Sequence, residues 1–250
     1  MKRLTAVCQL PLVLLLVLLP DLCAAVSVPT ITFGVEEADS PEQVSGALQV
    51  LFLLTILSVA PAIVLMTTCF TRIVIVLGFV RQAMGTQNMP PTQVLIGLAL
   101  FLSFFIMSPV INTVNEQALQ PYLDETISQQ EAFTVALEPI RQFMFSQVDE
   151  NELMLLADIT LSDEPLDESE IPTMTLIPAF MLSELKKAFQ MGFMIYIPFL
   201  VIDMIVASIL MSMGMMMLPP VIISMPFKLL LFVLVDGWSL VVGSLLKSFS

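Results

Sequence analysis

Residues 178–220 read PAFMLSELKKAFQMGFMIYIPFLVIDMIVASILMSMGMMMLPP. From Ala188 to Ile202 there is no charge, Asp203 interrupts, and Met204 to Phe227 is charge-free again. A helix rises about 1.5 Å per residue, so roughly 20 apolar residues suffice to cross the hydrocarbon of a bilayer. The run closes on Gly214 and the tandem Pro219-Pro220, which removes two backbone donors and cannot continue a helix. The stretch therefore predicts a helical hairpin. One limb covers about 186–213, the turn 214–220, and the return limb about 221–246. The expected fold class is all-α.

Composition points the same way. Of 250 residues, 57% are hydrophobic and only 12% charged, with a mean hydropathy of +0.94. Soluble domains run at roughly 45–50% apolar and about 25% charged, so much of this surface is built to avoid water. Histidine is absent, which excludes a His-based triad, a His-ligated metal and a His proton shuttle. With 9 basic against 22 acidic residues, nucleic acid is not an expected partner. Between residues 116 and 170 lie fourteen acidic side chains and one basic one, Arg141, a sum of −13 that equals the net charge of the whole chain. A neutral apolar chain is thus interrupted by one acidic, water-facing insert.

Lys2 and Arg3, the apolar run Leu10–Leu19 and the small pair Ala24-Ala25 describe a cleavable secretory signal over 1–25. Its loss would remove Cys8 and Cys23 and leave Cys69 alone, with no intramolecular disulfide possible. Residues 26–46 read as a solvated lead-in. A first hairpin is expected over 47–114, with apolar limbs Ala47–Met66 and Val94–Val114 and breaks near Pro61 and Pro109. The acidic segment 115–177 is expected outside the membrane and helical. Ser128 with Glu131 fits a capping box. Phe133, Leu137, Ile140, Met144 and Val148 share one helical face, and Asp149 opens a second helix. SDEPLDESE, 162–170, has nothing to bury and reads as a mobile loop. The second hairpin occupies 178–250. Four spans after an exported N-terminus put Arg72 and Arg81 on the cytoplasmic side, as the positive-inside rule prefers. Lys186 and Lys187 break that scheme, because it leaves them outside.

The apolar stretches hold three charges: Asp203, Lys228 and Asp236. A charge at membrane depth costs at least about 2.5–3.5 kcal/mol and normally pairs or lines a wet cavity. With the turn centred near Met217, Asp203 and Lys228 differ in depth by only about 4.5 Å, so an ion pair within or between subunits is expected. The alternative is that each lies near an interface or snorkels. Two aspartates also raise an intramembrane aspartyl protease, which needs two carboxylates close enough to share a proton. Their settings, VIDM and LVDGW, and their unequal depths argue against it. Five methionines, Met211, Met213, Met215, Met216 and Met217, fall within seven residues. Methionine is flexible and polarizable, so a turn rich in it can close around changing partners. Simple apolar filling is the plainer reading. A self-contained secondary transporter is a further reading, with Pro-broken helices and Asp203 as coupling-ion site.

Three long blocks resemble one family. FTRIVIVLGFVRQAMGTQNMPPTQVLIGLALFLSFFIMSPVI (70–111), the opening stretch 178–220, and PFKLLLFVLVDGWSLVVGSLL (226–246) are similar to FliP proteins, flagellar type III export-gate subunits related to the SctR subunits of injectisomes. The resemblance implies a non-enzymatic membrane protein without cofactor, in the bacterial inner membrane and flagellar basal body. It implies helical hairpins that assemble, in about five copies, into a conical oligomer with FliQ and FliR. Such an assembly, joined by other export-gate components and in contact with membrane lipid, admits unfolded flagellar subunits. In the family the methionine turn forms a gasket around the pore, which here corresponds to Met215, Met216 and Met217 between Gly214 and Pro219-Pro220.

Overall fold

A computed structural model of the chain describes residues 41–86, 89–160, 170–215 and 217–249, with side chains from residue 49 onward, Thr160 excepted. The expected signal peptide, the lead-in up to residue 40, residues 162–169 of the acidic loop, and Met216 lie outside the described residues. All regular structure among the described residues is helical. The chain divides into units Met1–Phe52 and Leu53–Ser250, and of the first only the opening turns of one helix are described.

That helix, α1, runs Pro41–Met66 with Pro61 inside it. Its residues 49–66 are apolar on every face and none is buried, the pattern of a helix whose surroundings are themselves apolar. Next comes α2, Phe70–Ala83. This segment lies between the two expected apolar limbs, and the structure makes it the centre of the core. Ile73, Val76, Leu77, Val80 and Ala83 are completely buried, and their three- and four-residue spacing puts them on one face. The first hairpin is therefore formed by α2 with α3, Thr92–Val114. Cys69 Sγ meets Ser103 Oγ at 3.2 Å and Arg81 Nη1 meets Thr92 Oγ1 at 2.9 Å, so the two helices run antiparallel.

Pro109 does not end α3. The helix continues through a π-helical turn, Asn115–Leu119, into α4, Gln120–Leu123. A proline forfeits only one helical hydrogen bond, and the Thr113 hydroxyl donates to the Pro109 carbonyl at 2.9 Å. The acidic insert then folds as α5, Gln129–Gln147, and α6, Glu150–Thr160. Ser128 caps α5 by accepting from the Glu131 amide at 3.3 Å. Asp149 Oδ1 accepts from the Asn151 amide at 3.1 Å at the start of α6. Only the C-terminal half of the α5 stripe is covered: Met144 is buried with Ile171, Leu176 and Phe180, while Phe133 is exposed.

The surface that covers it belongs to α7, Thr173–Ser212, a 40-residue helix carrying Pro178 and Pro198. Here Lys186 and Lys187 find their reason. Lys186 Nζ bridges Asp149 Oδ2 and Glu152 Oε1 at 3.0 and 3.1 Å, and Lys187 Nζ donates to the Gln147 carbonyl at 2.6 Å. The two cations fasten the acidic helices to α7, so they carry no information about a cytoplasmic side. Arg141 reaches back to Thr173 Oγ1 and the Ile171 carbonyl at 2.6 and 2.9 Å. On its other side α7 runs parallel to α2, since Arg72 meets Glu184 and the Phe79 ring packs edge-on to Phe189, centroids 5.5 Å apart.

The second hairpin pairs α7 with α8, Pro220–Leu234, and α9, Gly237–Lys247. The expected single return limb is broken: α8 and α9 meet at 63°. Asp236 supplies the left-handed residue at the break, with φ 51°. A Cβ on Gly237 would lie 2.3 Å from the Phe232 ring, so only glycine admits that ring at the corner. Among the described residues three helices are long and apolar enough to cross a membrane, and a fourth span results if the bent pair counts as one.

Candidate functional site

The methionine turn begins where α7 stops. Gly214 adopts φ +77°, its amide donates to the Met211 carbonyl at 3.0 Å, and the Met215 amide reaches back to Leu210 at 3.0 Å. Those two bonds, with a left-handed glycine between them, form a Schellman cap that satisfies the last carbonyls of the helix. Pro219 then precedes α8 and Pro220 occupies its first turn, where a missing N–H costs nothing. The turn is thus fixed at both ends by backbone chemistry. Met217 is 97% exposed, Met213 62% and Met215 39%.

Behind the turn, α7 and α8 are joined by charge. Lys228 Nζ lies 2.6 Å from Asp203 Oδ2, and the Ser224 hydroxyl donates to Asp203 Oδ1. Phe199 against Phe232, ring centroids 6.2 Å apart, continues the antiparallel register one turn further from the tip. Lys228 is almost wholly buried, whereas the Asp203 side chain is 23% exposed. A Cβ added to Gly85, in the α2–α3 connection at φ +75°, would sit 3.8 Å from Lys228 Nζ. The ammonium therefore stands where that connection meets α8. Asp236 does not join this group. It is exposed at the bend, because the break in the return limb carries it out of the packed surface.

Arg72 and Arg81 separate. Arg81, half-buried, bonds Thr92 as given above. Arg72 is 1% exposed, so its charge is spent inside the fold. Its Nε donates to Glu184 Oε2 at 2.9 Å and its Nη2 to Glu184 Oε1 and, at 3.1 Å, to Gln147 Oε1. Its Nη1 donates at 3.0 Å to both the carbonyl and the hydroxyl of Ser248. A guanidinium has five N–H donors in a fixed fork, and all five are used. Sequence reasoning missed this network, although a signal was present. Arg72 falls on the α2 stripe with Cys69, Ile73 and Val76, and Glu184 on the α7 stripe with Leu176, Phe180 and Ala188. Two opposite charges on two buried faces have to meet.

The Cys69 thiol lies one turn before Arg72, and burial pushes its pKa up to about 11 against the smaller opposing effect of Ser103. In the acidic helices, Lys186 and then the Asn151 amide hold the Asp149 carboxyl below its ordinary value. Two apolar hollows flank these elements. One, of about 280 Å³, is lined by residues including Leu65, Phe104, Met107 and Ile111. The other, of about 410 Å³, lies between α7 and α8 and includes Ile205, Ile209, Ile223 and Phe227. The arrangement is one of an exposed methionine turn, apolar faces and buried ion pairs.

The FliP family model matches residues 53–245. The chain is 59% identical over 212 residues to the flagellar biosynthetic protein FliP of Bacillus subtilis, covering 85% of this chain and 96% of the relative. It is 54% identical over 201 residues to that of Caulobacter vibrioides, covering 80% and 76%. The Treponema pallidum protein of the same name is 47% identical over 224 residues, covering 89% and 83%.

Proposed function

This chain belongs to the FliP family, and from that membership we propose that it is a membrane-embedded component of the flagellar export apparatus that forms part of the entry pore. In this reading several copies, about five, assemble with FliQ and FliR around an axis. Their methionine turns line the constriction through which unfolded rod, hook and filament subunits pass. The acidic helices α5 and α6 face the periplasm.

The observation that carries the reading is the turn itself. Its backbone is held by a Schellman cap and by Pro219-Pro220, so Met215 and Met217 are exposed without being needed for local structure. Several flexible thioethers presented around an axis would close on themselves when the pore is empty and deform when a chain enters. Asp203 and Lys228 hold the two limbs of that hairpin in register, and no reaction is assigned to either. The transporter reading has less support, because Lys228 and Ser224 already engage both carboxylate oxygens of Asp203. A coupling-ion site needs that carboxylate free to exchange.

The test replaces Met215, Met216 and Met217 together by alanine in a flagellated host. Export of hook and filament subunits and leakage of small ions across the membrane are then measured. The pore reading expects a leak, lost export, or both. Unchanged export in a tight membrane would sink it.

A further inference from the structure

The network around Arg72 closes on residues from the very end of the chain. Glu184 is fully buried and Arg72 nearly so. An ion pair taken out of water holds only when its remaining donors are also satisfied. Glu184 takes two of the five N–H groups and Gln147 a third. Both donors of Nη1 go to Ser248, 176 residues away in sequence. The Phe249 ring then lies over the guanidinium face, 3.8 Å from its central carbon, a cation–π contact that also shuts out water. With Ser248 and Phe249 lifted away, Nη1 has no acceptor and one face of the buried cation is open.

We propose that Ser248 and Phe249 are a strap that completes the α2–α7 contact, and that the core around Arg72 forms only once these two residues have docked. The strap is delivered by α9. α9 is short, Val241 and Leu245 anchor it in the core, and it joins α8 at the exposed left-handed Asp236. Arg72 and Glu184 are made long before Ser248, so until then their charges remain hydrated and α2 stays loose on α7. Docking of the strap thereby sets the register of the helix that carries the methionine turn.

Cys69 supplies a native reporter, since it is fully buried, lies three residues before Arg72 and shares a core with Leu245 and Phe249. The full chain carrying Cys8→Ser and Cys23→Ser is purified in mild detergent, and maleimide labelling of Cys69 is timed alongside backbone hydrogen exchange. Deleting residues 248–250 is expected to speed labelling about tenfold or more and to raise exchange in α2 and the facing part of α7, while α8 keeps its protection. Phe249→Leu retains apolar volume but loses the ring contact, and is expected to give a smaller change of the same pattern. If the deleted chain does not fold, Phe249→Leu and Ser248→Ala decide by the same two readouts. Labelling and α2 exchange as in the parent would overturn the proposal, as would loosening spread evenly through α8.

Discussion

Asp203 and Lys228 are buried to different extents, and that difference makes their removal unequal. Asp203→Leu strands an ammonium whose side chain is 2% exposed, whereas Lys228→Met strands a carboxylate that is 23% exposed and still bonded to Ser224. Breaking a buried pair by deleting one partner costs about 3–5 kcal/mol. Asp203→Leu belongs near the middle of that range, about 4 kcal/mol. Water and Ser224 relieve part of the cost for Lys228→Met, leaving about 2–3 kcal/mol. The double variant leaves no orphaned charge and should lie within about 1.5 kcal/mol of the parent. The coupling energy that follows is about 4.5 kcal/mol or more. Exchange of the two charges, Asp203→Lys with Lys228→Asp, should likewise recover more than either reversal alone. Unfolding of the purified chain by denaturing detergent can be followed through Trp238, the chain's one tryptophan, whose ring packs edge-on to Phe232 at 5.3 Å. Equal single effects, or a double variant as unstable as the sum of the singles, would refute the pair as the element that fixes register.

Other consequences concern packing, strain and charge. Gly192→Ala would place a Cβ 2.4 Å from the Phe79 ring and should cost about 1–3 kcal/mol, read as a lower unfolding midpoint that Gly78→Ala, with open space around it, does not reproduce. Asp236→Gly relieves a left-handed aspartate but frees the unfolded chain, so a net gain of about 0.5 kcal/mol is expected from the same measurement. The lowered pKa of Asp149 means that its link to Lys186 contributes fully above the ordinary aspartate value and is lost as pH falls through the lowered one. Protection of α6 amides relative to their intrinsic exchange should therefore fall only in that acid range and with added salt, and a loss of protection on approaching neutral pH would contradict the link.

What the sequence disclosed depended on how local the cause was. The Ser128 cap, the Asp149 start and the turn between Gly214 and Pro220 are written in adjacent residues, and each stands at its expected place. The depth arithmetic that set Asp203 opposite Lys228 needed only the turn and the helical rise. Non-local causes were harder. α2 looks like a basic connection because Arg72 and Arg81 frame it, yet Glu184 is 112 residues away and cancels the first of them. The bend at Asp236 does not show in the apolar runs on either side of it, since what stops the helix is the space that Gly237 leaves for the Phe232 ring. Lys186 and Lys187 misled the topology argument for the same reason: their partners lie in the insert, and charge counting along the chain cannot see them.

The central claim is that this chain assembles around an axis so that its methionine turns meet. Native mass spectrometry of the complex, released gently from membranes with FliQ and FliR co-expressed, tests it most directly. The account expects one particle holding about five copies of this chain together with the smaller helical partners. A stable monomer or dimer that excludes them would contradict it, since one or two turns cannot enclose a passage.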